Sequence, residues 1–160
     1  MDASTSAEHA IRALVAAYAR GADRHDGAAV AQVFLEDGIL ETSHTGRGRH
    51  RIRGRAAIAR AINSLTRWEA TTHFLGQHVI EFDGDHATGE LYCQAHHLER
   101  ASNGRYVRTL WIRYQDEYTE VDSAWYLRHR LLIVDWSEYR PAPAEPSTLD
   151  PTSQIRREDA

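Results

Sequence analysis

The second half of the chain constrains the fold most strongly, because four long stretches of strand-forming residues follow one another with only short turn signals between them. These stretches cover residues 70–82, 87–100, 105–121 and 125–136. The sequences DGD, ASNG and VDSA stand between them, and their Asp, Asn, Ser and Gly residues favour tight turns. Consecutive strands joined by short turns pair antiparallel. The sequence therefore predicts an antiparallel meander over residues 70–136.

The first part of the chain is predicted to be mainly helical. Its first helix covers residues 6–22 and has one apolar stripe formed by Ile11, Leu14, Val15, Tyr18 and Ala22. Asp26 is placed to cap a second helix over 27–35, EDG (36–38) is predicted to be a turn, and a third helix covers 55–66. Residues 39–43 are predicted to be a strand and 46–54 a hairpin or loop.

Helices followed by a meander indicate an α+β fold in which three N-terminal helices pack on one face of a strongly curved antiparallel sheet. Such a sheet, closed by helices, forms a cone-shaped α+β barrel with an apolar pocket inside. We expect this domain to cover residues 1–136. Residues 137–160, rich in Pro, Ser, Thr and charge, are expected to be a flexible tail or to dock on a partner subunit.

The composition argues against several classes of function. The 160 residues suffice for one domain, and a formal net charge of −4 provides no positive field for nucleic acid. The segment GRGRHRIRGR (46–55) is basic, but it contains no aromatic residues and is interpreted as a solvated hairpin. Cys93, the single cysteine, excludes an intrachain disulfide and a multi-cysteine metal site. No signal-peptide pattern or membrane-length apolar run is present, so a cytoplasmic location is expected.

His73 and Asp23 are candidates for acid–base chemistry. A carboxylate beside an imidazole orients the ring and stabilises its protonated form, so that the pair works as a general base. Helical geometry places Asp23 roughly 120° from the apolar stripe, so a solvated linker charge remains the alternative interpretation. Strand alternation places His73 on one face with Leu75 and places His78 on the opposite face.

Three further residues are candidates with an open alternative. Tyr18 is either a core aromatic residue or a hydroxyl that polarises a carbonyl. His97 shares the more apolar face of its strand with Cys93, so it, rather than His96, is expected in the pocket. Arg130 is either an exposed strand arginine or a buried cation that stabilises an enolate or a leaving group. The spacing of these residues is not typical of a zinc site, and no nucleotide motif is present, so neither metal nor cofactor is expected.

Four segments carry a resemblance to the SnoaL-like branch of the nuclear transport factor 2-like superfamily. They are IRALVAAYARGADRHDGAAVAQVFLEDGIL, IRGRAAIARAI, TTHFLGQHVIEFDGDHATGELYCQAHH and YQDEYTEVDSAWYLRHRLLIVDW, and they cover about residues 8–136. The resemblance implies the cone-shaped fold described above. It also implies a homo-oligomer, a dimer or trimer joined through the outer face of the sheet.

Within this branch the site pattern resembles scytalone dehydratase, bile-acid 7α-dehydratase and hexachlorocyclohexane dehydrochlorinase, in which an Asp after the first helix orients a His on the following long strand. Asp23 and His73 match those positions. Tyr18 matches a tyrosine of the bile-acid enzyme and a lysine of the dehydrochlorinase, and Arg130 matches an arginine that assists the leaving group. The second tyrosine and the asparagine of scytalone dehydratase have no counterpart here, so its substrate is not implied, and the missing lysine argues against dehalogenation.

The resemblance implies a cofactor-independent lyase, of the dehydratase type, that acts on a small apolar carbonyl compound such as a steroid-like or polyketide-derived molecule. His73 would take the α-proton, Asp23 would orient it, and Tyr18, His97 or Arg130 would stabilise the enolate or protonate the leaving hydroxyl. An isomerase or polyketide cyclase with the same base is one alternative. A non-catalytic small-molecule binding module is the other, because this fold hosts many functions.

Overall fold

The computed structural model describes residues 3–44 and 48–142, which form three α-helices, one 3₁₀ turn and six strands. The helices are α1 (Ala3–Asp23), α2 (Gly27–Gln32) and α3 (Arg55–Asn63), and the 3₁₀ turn is Ser64–Arg67. The strands are β1 (Phe34–His44), β2 (Gly48–Arg53), β3 (Ala70–Asp83), β4 (His86–Ala101), β5 (Gly104–Val121) and β6 (Ala124–Pro141). None of the helices in the described ranges is long and apolar enough to cross a membrane.

The strands form one sheet in the order β2-β1-β6-β5-β4-β3. The predicted meander is confirmed, because β3, β4, β5 and β6 pair antiparallel in sequence order. One pairing differs from the prediction of an antiparallel sheet, since β1 lies parallel to β6, with Leu40 opposite Arg130. The curved sheet is not closed, and β2 and β3 are its edges.

Helix α1 covers the inner face of the sheet with the predicted stripe. Ile11, Val15, Tyr18 and Ala22 are buried, and the core continues into the inner faces of β4 and β5. Burial of each large apolar side chain of this kind contributes about 1.5–3 kcal/mol, which holds the helix on the sheet. The predicted α+β cone is therefore confirmed.

The boundary between α2 and β1 lies earlier than predicted. Helix α2 ends at Gln32, and Phe34, which was expected at the end of the helix, begins β1 and is fully buried. EDG is not a separate turn but an irregular part of β1, where the register with β6 shifts between Phe34 and Ile39. Burial of Phe34 in the core overrides the short helical pattern, as tertiary packing often does for short segments. The cap was predicted correctly, because Asp26 Oδ1 accepts the Ala29 N–H at 2.9 Å.

An irregularity in β3 places two histidines on the same face of the sheet. His73 lies opposite Ala95 and His78 lies opposite Leu91, so β3 uses one residue more than β4 between these two points. An extra residue of this kind is a β-bulge, and it reverses the alternation of faces beyond it. The prediction that His73 and His78 face opposite sides is therefore wrong, because it assumed an unbroken strand.

Strand β6 extends beyond the predicted end of the domain at residue 136. It continues to Pro141, which lies opposite Tyr106 of β5. Residues 137–141 thus belong to the sheet and not to the predicted tail. The rest of that tail, residues 143–160, lies outside the described residues.

Candidate active site

The turn after α1 fixes the position of Asp23, the last residue of the helix. The His25 N–H donates to the Ala22 carbonyl at 3.1 Å, and the Asp26 N–H donates to the Gly21 carbonyl at 2.9 Å. These two bonds define a Schellman motif, in which the residue after the cap adopts a left-handed conformation. His25 occupies that place with a φ of 55°. The role of His25 in this turn is therefore a backbone one.

The structure brings Asp23 and His73 into direct contact. Asp23 Oδ1 lies 2.7 Å from His73 Nδ1, and Oδ2 accepts the backbone N–H of His73 at 3.0 Å. The Thr71 hydroxyl also donates to Oδ1, at 3.3 Å. Asp23 reaches these groups because the flank of α1, and not its apolar stripe, faces the edge strand β3. The pairing that the resemblance implied is thus present.

This geometry decides which nitrogen of His73 is available for chemistry. A carboxylate accepts hydrogen bonds, so Nδ1 carries the proton and Nε2 keeps its lone pair. The side chain of His73 is 8% exposed and that of Asp23 is 26% exposed. A proton taken up at Nε2 would therefore give an imidazolium that is held against a fixed carboxylate, which is the arrangement a general base requires.

A groove of about 500 Å³ lies between α1 and β3 and gives access to the dyad. Its lining combines small apolar side chains with the dyad and two arginines: Ala16, Ala19, Arg20, Asp23, Arg24, Thr71, Thr72, His73 and Leu75. Its volume falls within the range of sites for small organic ligands.

His97 lies beside the dyad on the inner face of β4. Its ring centroid is 6.1 Å from that of His73, in an edge-on arrangement, and Trp68 packs on its other side at 5.1 Å. Burial, and then the neighbouring His73, lower the pKa of His97 to about 4, so the ring is neutral near pH 7. His96 points away from this cluster and lies 3.2 Å from the Thr109 hydroxyl. The structure thus places His97, as expected, next to the candidate base.

Arg130 belongs to a different cluster, deep inside the cone. Its Nε and Nη2 donate to the two oxygens of Asp116 at 2.8 and 2.7 Å, and both side chains are completely buried. The guanidinium carbon lies 4.2 Å from the ring centroid of Tyr18 and 4.1 Å from that of Tyr114. Burial alone would lower the pKa of Arg130, but the charge and hydrogen bonds of Asp116 outweigh it and raise the pKa. The interior therefore contains an ion pair among its apolar side chains.

Tyr18 completes this interior cluster and not the dyad. Its ring packs edge-on against Phe34 and Tyr114, and burial raises the pKa of its hydroxyl. Within residues 3–44 and 48–142, no hydrogen bond or ring contact joins Tyr18 or Arg130 to the dyad. Of the five residues singled out in the sequence, the structure brings together Asp23, His73 and His97, and places the other two around Asp116.

Two residues of these clusters were missed in the sequence. Asp116 alternates with Ile112, Tyr114 and Tyr118 along β5, and a charged residue on an otherwise apolar face is a signal that a buried partner exists. Trp68 precedes β3 in a short polar segment, where nothing in the sequence indicates its contact with His97. Over the described residues, no group of three or more His, Cys, Asp or Glu side chains could hold a metal ion.

Residues 48–53 of the basic segment form β2, whose arginines make ion pairs with β1. Arg51 donates to the buried Glu41 through Nε and Nη2 at 3.0 and 2.8 Å, and these hydrogen bonds lower the pKa of the carboxyl. Arg53 pairs with Asp37 at 2.8 Å. The acids of β1 thus neutralise much of the positive charge of β2, which is consistent with a solvated hairpin.

A protein-family model described as the SnoaL-like domain matches residues 3–131. The chain belongs to the SnoaL-like family. This family lies within the nuclear transport factor 2-like superfamily, in agreement with the fold described above. A search of curated proteins gave no match.

Solved structures of the same fold come from several bacteria. A protein of unknown function from Mycobacterium tuberculosis is 27% identical, with a TM-score of 0.70 over 82% of this chain and 73% of its own. A candidate scytalone dehydratase from Novosphingobium aromaticivorans is 21% identical, with a TM-score of 0.71 over 96% of this chain and 97% of its own. A hexachlorocyclohexane dehydrochlorinase from Novosphingobium barchaimii is 17% identical, with a TM-score of 0.72 over 91% of this chain and 97% of its own. These likenesses establish the fold of this SnoaL-like protein.

Proposed function

We propose that this SnoaL-like protein is a cofactor-independent lyase that removes water from a small, largely apolar carbonyl compound. The observation that carries the proposal is the hydrogen bond of 2.7 Å between Asp23 Oδ1 and His73 Nδ1, reinforced by the backbone N–H of His73. With Nδ1–H donated to the carboxylate, Nε2 is left as the basic nitrogen. The dehydratase and dehydrochlorinase descriptions of two proteins with this fold support an elimination.

In the proposed reaction, His73 Nε2 takes a proton from the carbon next to the carbonyl, and the electrons of that C–H bond form an enolate. The enolate then expels a hydroxyl group from the next carbon. The leaving hydroxyl takes the proton held on His73 and departs as water, which restores the neutral base. Asp23 stabilises the imidazolium between these two proton transfers. A base of this kind contributes a rate factor of about 10²–10⁴.

An isomerase or polyketide cyclase would use the same base without loss of water. The proton would then return to a different carbon, or the enolate would attack a second carbonyl. Product analysis separates these reactions from dehydration. A non-catalytic binding module would bind ligand in the same groove, but it would gain nothing from an oriented base.

The test uses a panel of cyclic β-hydroxy ketones in D₂O, with proton NMR to follow loss of the α-proton and mass spectrometry to follow loss of water. We expect His73→Gln to reduce the rate of α-proton exchange by about 10²–10⁴. His50→Gln is the matched control, because His50 is exposed on β2, and it should leave the rate unchanged. Equal rates in His73→Gln and the unmodified protein would contradict the assignment of the base. Binding of the ketones without exchange would favour a binding module.

We also propose that the chain forms a homo-oligomer through the outer face of the sheet. Phe74, Tyr92 and Trp136 are between 46% and 68% exposed on that face, and Trp111 and Trp136 stack there at 4.5 Å. Exposed apolar patches of this kind mark interaction surfaces in soluble proteins.

A further inference from the structure

The indole of Trp68 is a buried hydrogen-bond donor beside the candidate active site. The backbone N–H of Trp68 donates to the Leu65 carbonyl at 2.9 Å, and the backbone N–H of the next residue, Glu69, donates to the Leu98 carbonyl at 2.8 Å. These bonds fix the segment between the 3₁₀ turn and β3 against β4. The indole Nε1 is buried and has no hydrogen-bond partner among the described residues. An indole nitrogen can only donate, so this N–H is available to an acceptor on a bound molecule.

A second unpartnered polar atom belongs to His97, whose ring packs against that of Trp68. His97 Nδ1 is buried and likewise has no partner in the described ranges. The rings of Trp68, His97 and His73 form a continuous row, with centroids 5.1 and 6.1 Å apart. A ligand that extends from His73 along this row would meet His97 and then Trp68, neither of which lines the groove that reaches the dyad.

We infer that Trp68 Nε1–H and the Nδ1–H of His97 bind the carbonyl oxygen of the substrate, and the enolate oxygen formed from it. The inference rests on the proposed function and specifies how that site recognises its ligand. A carbonyl oxygen has two lone pairs and accepts two N–H groups. Donors fixed in a buried site stabilise the negative charge that develops when the α-proton leaves. His97 is neutral near pH 7, so one of its ring nitrogens carries a proton, and we place that proton on the unpartnered Nδ1.

This assignment gives the oxygen-binding role to Trp68 and His97 rather than to Arg130. Two nitrogens of the Arg130 guanidinium are committed to Asp116, and the third, Nη1, has no partner among the described residues, but the guanidinium packs between the rings of Tyr18 and Tyr114 in the interior cluster. His97, by contrast, is in ring contact with the base. The substrate class that follows is a ketone or thioester whose carbonyl carbon is bonded to the carbon that loses its proton.

The test uses the full chain labelled with ¹⁵N, with 1-tetralone as the probe and tetralin as the control ligand. The two molecules have nearly the same shape, but tetralin lacks the carbonyl oxygen. The chain has four tryptophans, and the spectra of Trp68→Phe and Trp111→Phe assign the two relevant indole signals. Trp111 is a matched control residue, because its Nε1 is also buried with no partner among the described residues, but it stacks on Trp136, away from the dyad.

We expect 1-tetralone to shift the Trp68 indole N–H signal downfield, and tetralin not to do so. Trp68→Phe should weaken binding of 1-tetralone about fivefold, the effect of one neutral hydrogen bond, and should leave tetralin binding unchanged. Trp111→Phe should change neither. Failure of 1-tetralone to bind up to its solubility limit, or an unmoved Trp68 signal on binding, would overturn the inference.

The shift of the Trp68 indole signal tests the oxygen-binding assignment independently of the exchange experiment that tests His73 as the base. His73→Gln should abolish exchange of the α-protons of 1-tetralone but keep the shift of the Trp68 signal. A shift without exchange in the unmodified protein would refute the proposed function and leave the oxygen-binding assignment intact. Exchange without a shift would refute the assignment and leave the base intact.

Discussion

Two arginine–aspartate pairs in this structure have nearly the same geometry and differ in their exposure to solvent. Arg130 and Asp116 are joined at 2.8 and 2.7 Å with both side chains completely buried. Arg113 and Asp135 are joined at 2.7 and 2.7 Å, with side chains 34% and 32% exposed. Replacing each aspartate by asparagine keeps the volume, removes the charge and turns one of the two acceptor oxygens into an amino group. The comparison therefore measures the effect of burial on the free energy of unfolding.

We expect Asp116→Asn to lower the free energy of unfolding by about 3–5 kcal/mol, because an arginine stays protonated and would be left as an unpaired buried charge. Asp135→Asn should lower it by about 0–1 kcal/mol, since water screens an exposed pair. A domain of this kind is stable by about 5–15 kcal/mol, so the first variant loses a large part of its stability.

Urea denaturation at pH 7, followed by tryptophan fluorescence, gives both values by linear extrapolation. If Asp116→Asn does not fold, the double variant Asp116→Leu/Arg130→Met tests the same reasoning, because it removes both charges and should recover most of the lost stability. Equal losses in Asp116→Asn and Asp135→Asn would refute the argument. If the argument holds, loss of activity in an Arg130 variant reports a damaged interior and not a lost contact with substrate.

Three further predictions follow from packing, titration and surface exposure. A Cβ on Gly27 would lie 2.2 Å from the Ala59 carbonyl oxygen, so Gly27→Ala should cost about 1–3 kcal/mol in urea denaturation, whereas Gly76→Ala, with no contact under 3.4 Å, should cost less. The pKa of His97 is about 4 in the folded protein and about 6.5 in the unfolded chain, so the unfolded chain binds the proton first as the pH falls. The free energy of unfolding should therefore decrease by up to about 3 kcal/mol between pH 6.5 and pH 4. His97→Phe should flatten that pH dependence. Trp136→Glu should reduce the mass found by light scattering to that of a monomer, and an unchanged mass would argue against the outer face as the interface.

Local signals predicted much of the fold. The turn sequences and strand patterns of residues 70–136 predict the meander because each hairpin pairs neighbours in the chain. The parallel pairing of β1 with β6 has no local signal, because the two strands are distant in sequence. The bulge in β3 does have a local signal in the sequence, because an isolated glycine within a strand, here Gly76, often marks a bulge.

The candidate site was predictable only in part. Asp26 was assigned as a cap from its position alone, and the structure confirms that assignment. The pairing of Asp23 with His73 came from the resemblance, because helical periodicity does not tell which flank of α1 the edge strand covers. The contact of Trp68 with His97 depends on the turn before β3, whose path no periodic pattern describes.

The pairing of β1 with β6 has a consequence for synthesis of the chain. On the ribosome β1 emerges early, and the edge of β1 that pairs with β6 stays unpaired until β6, the last strand described, has been made. Until then β1 and β5 both present open edges, which are templates for association with other chains. Slow translation of the last third, or truncation before residue 124, should therefore increase aggregation even though every residue of the dyad has already been made.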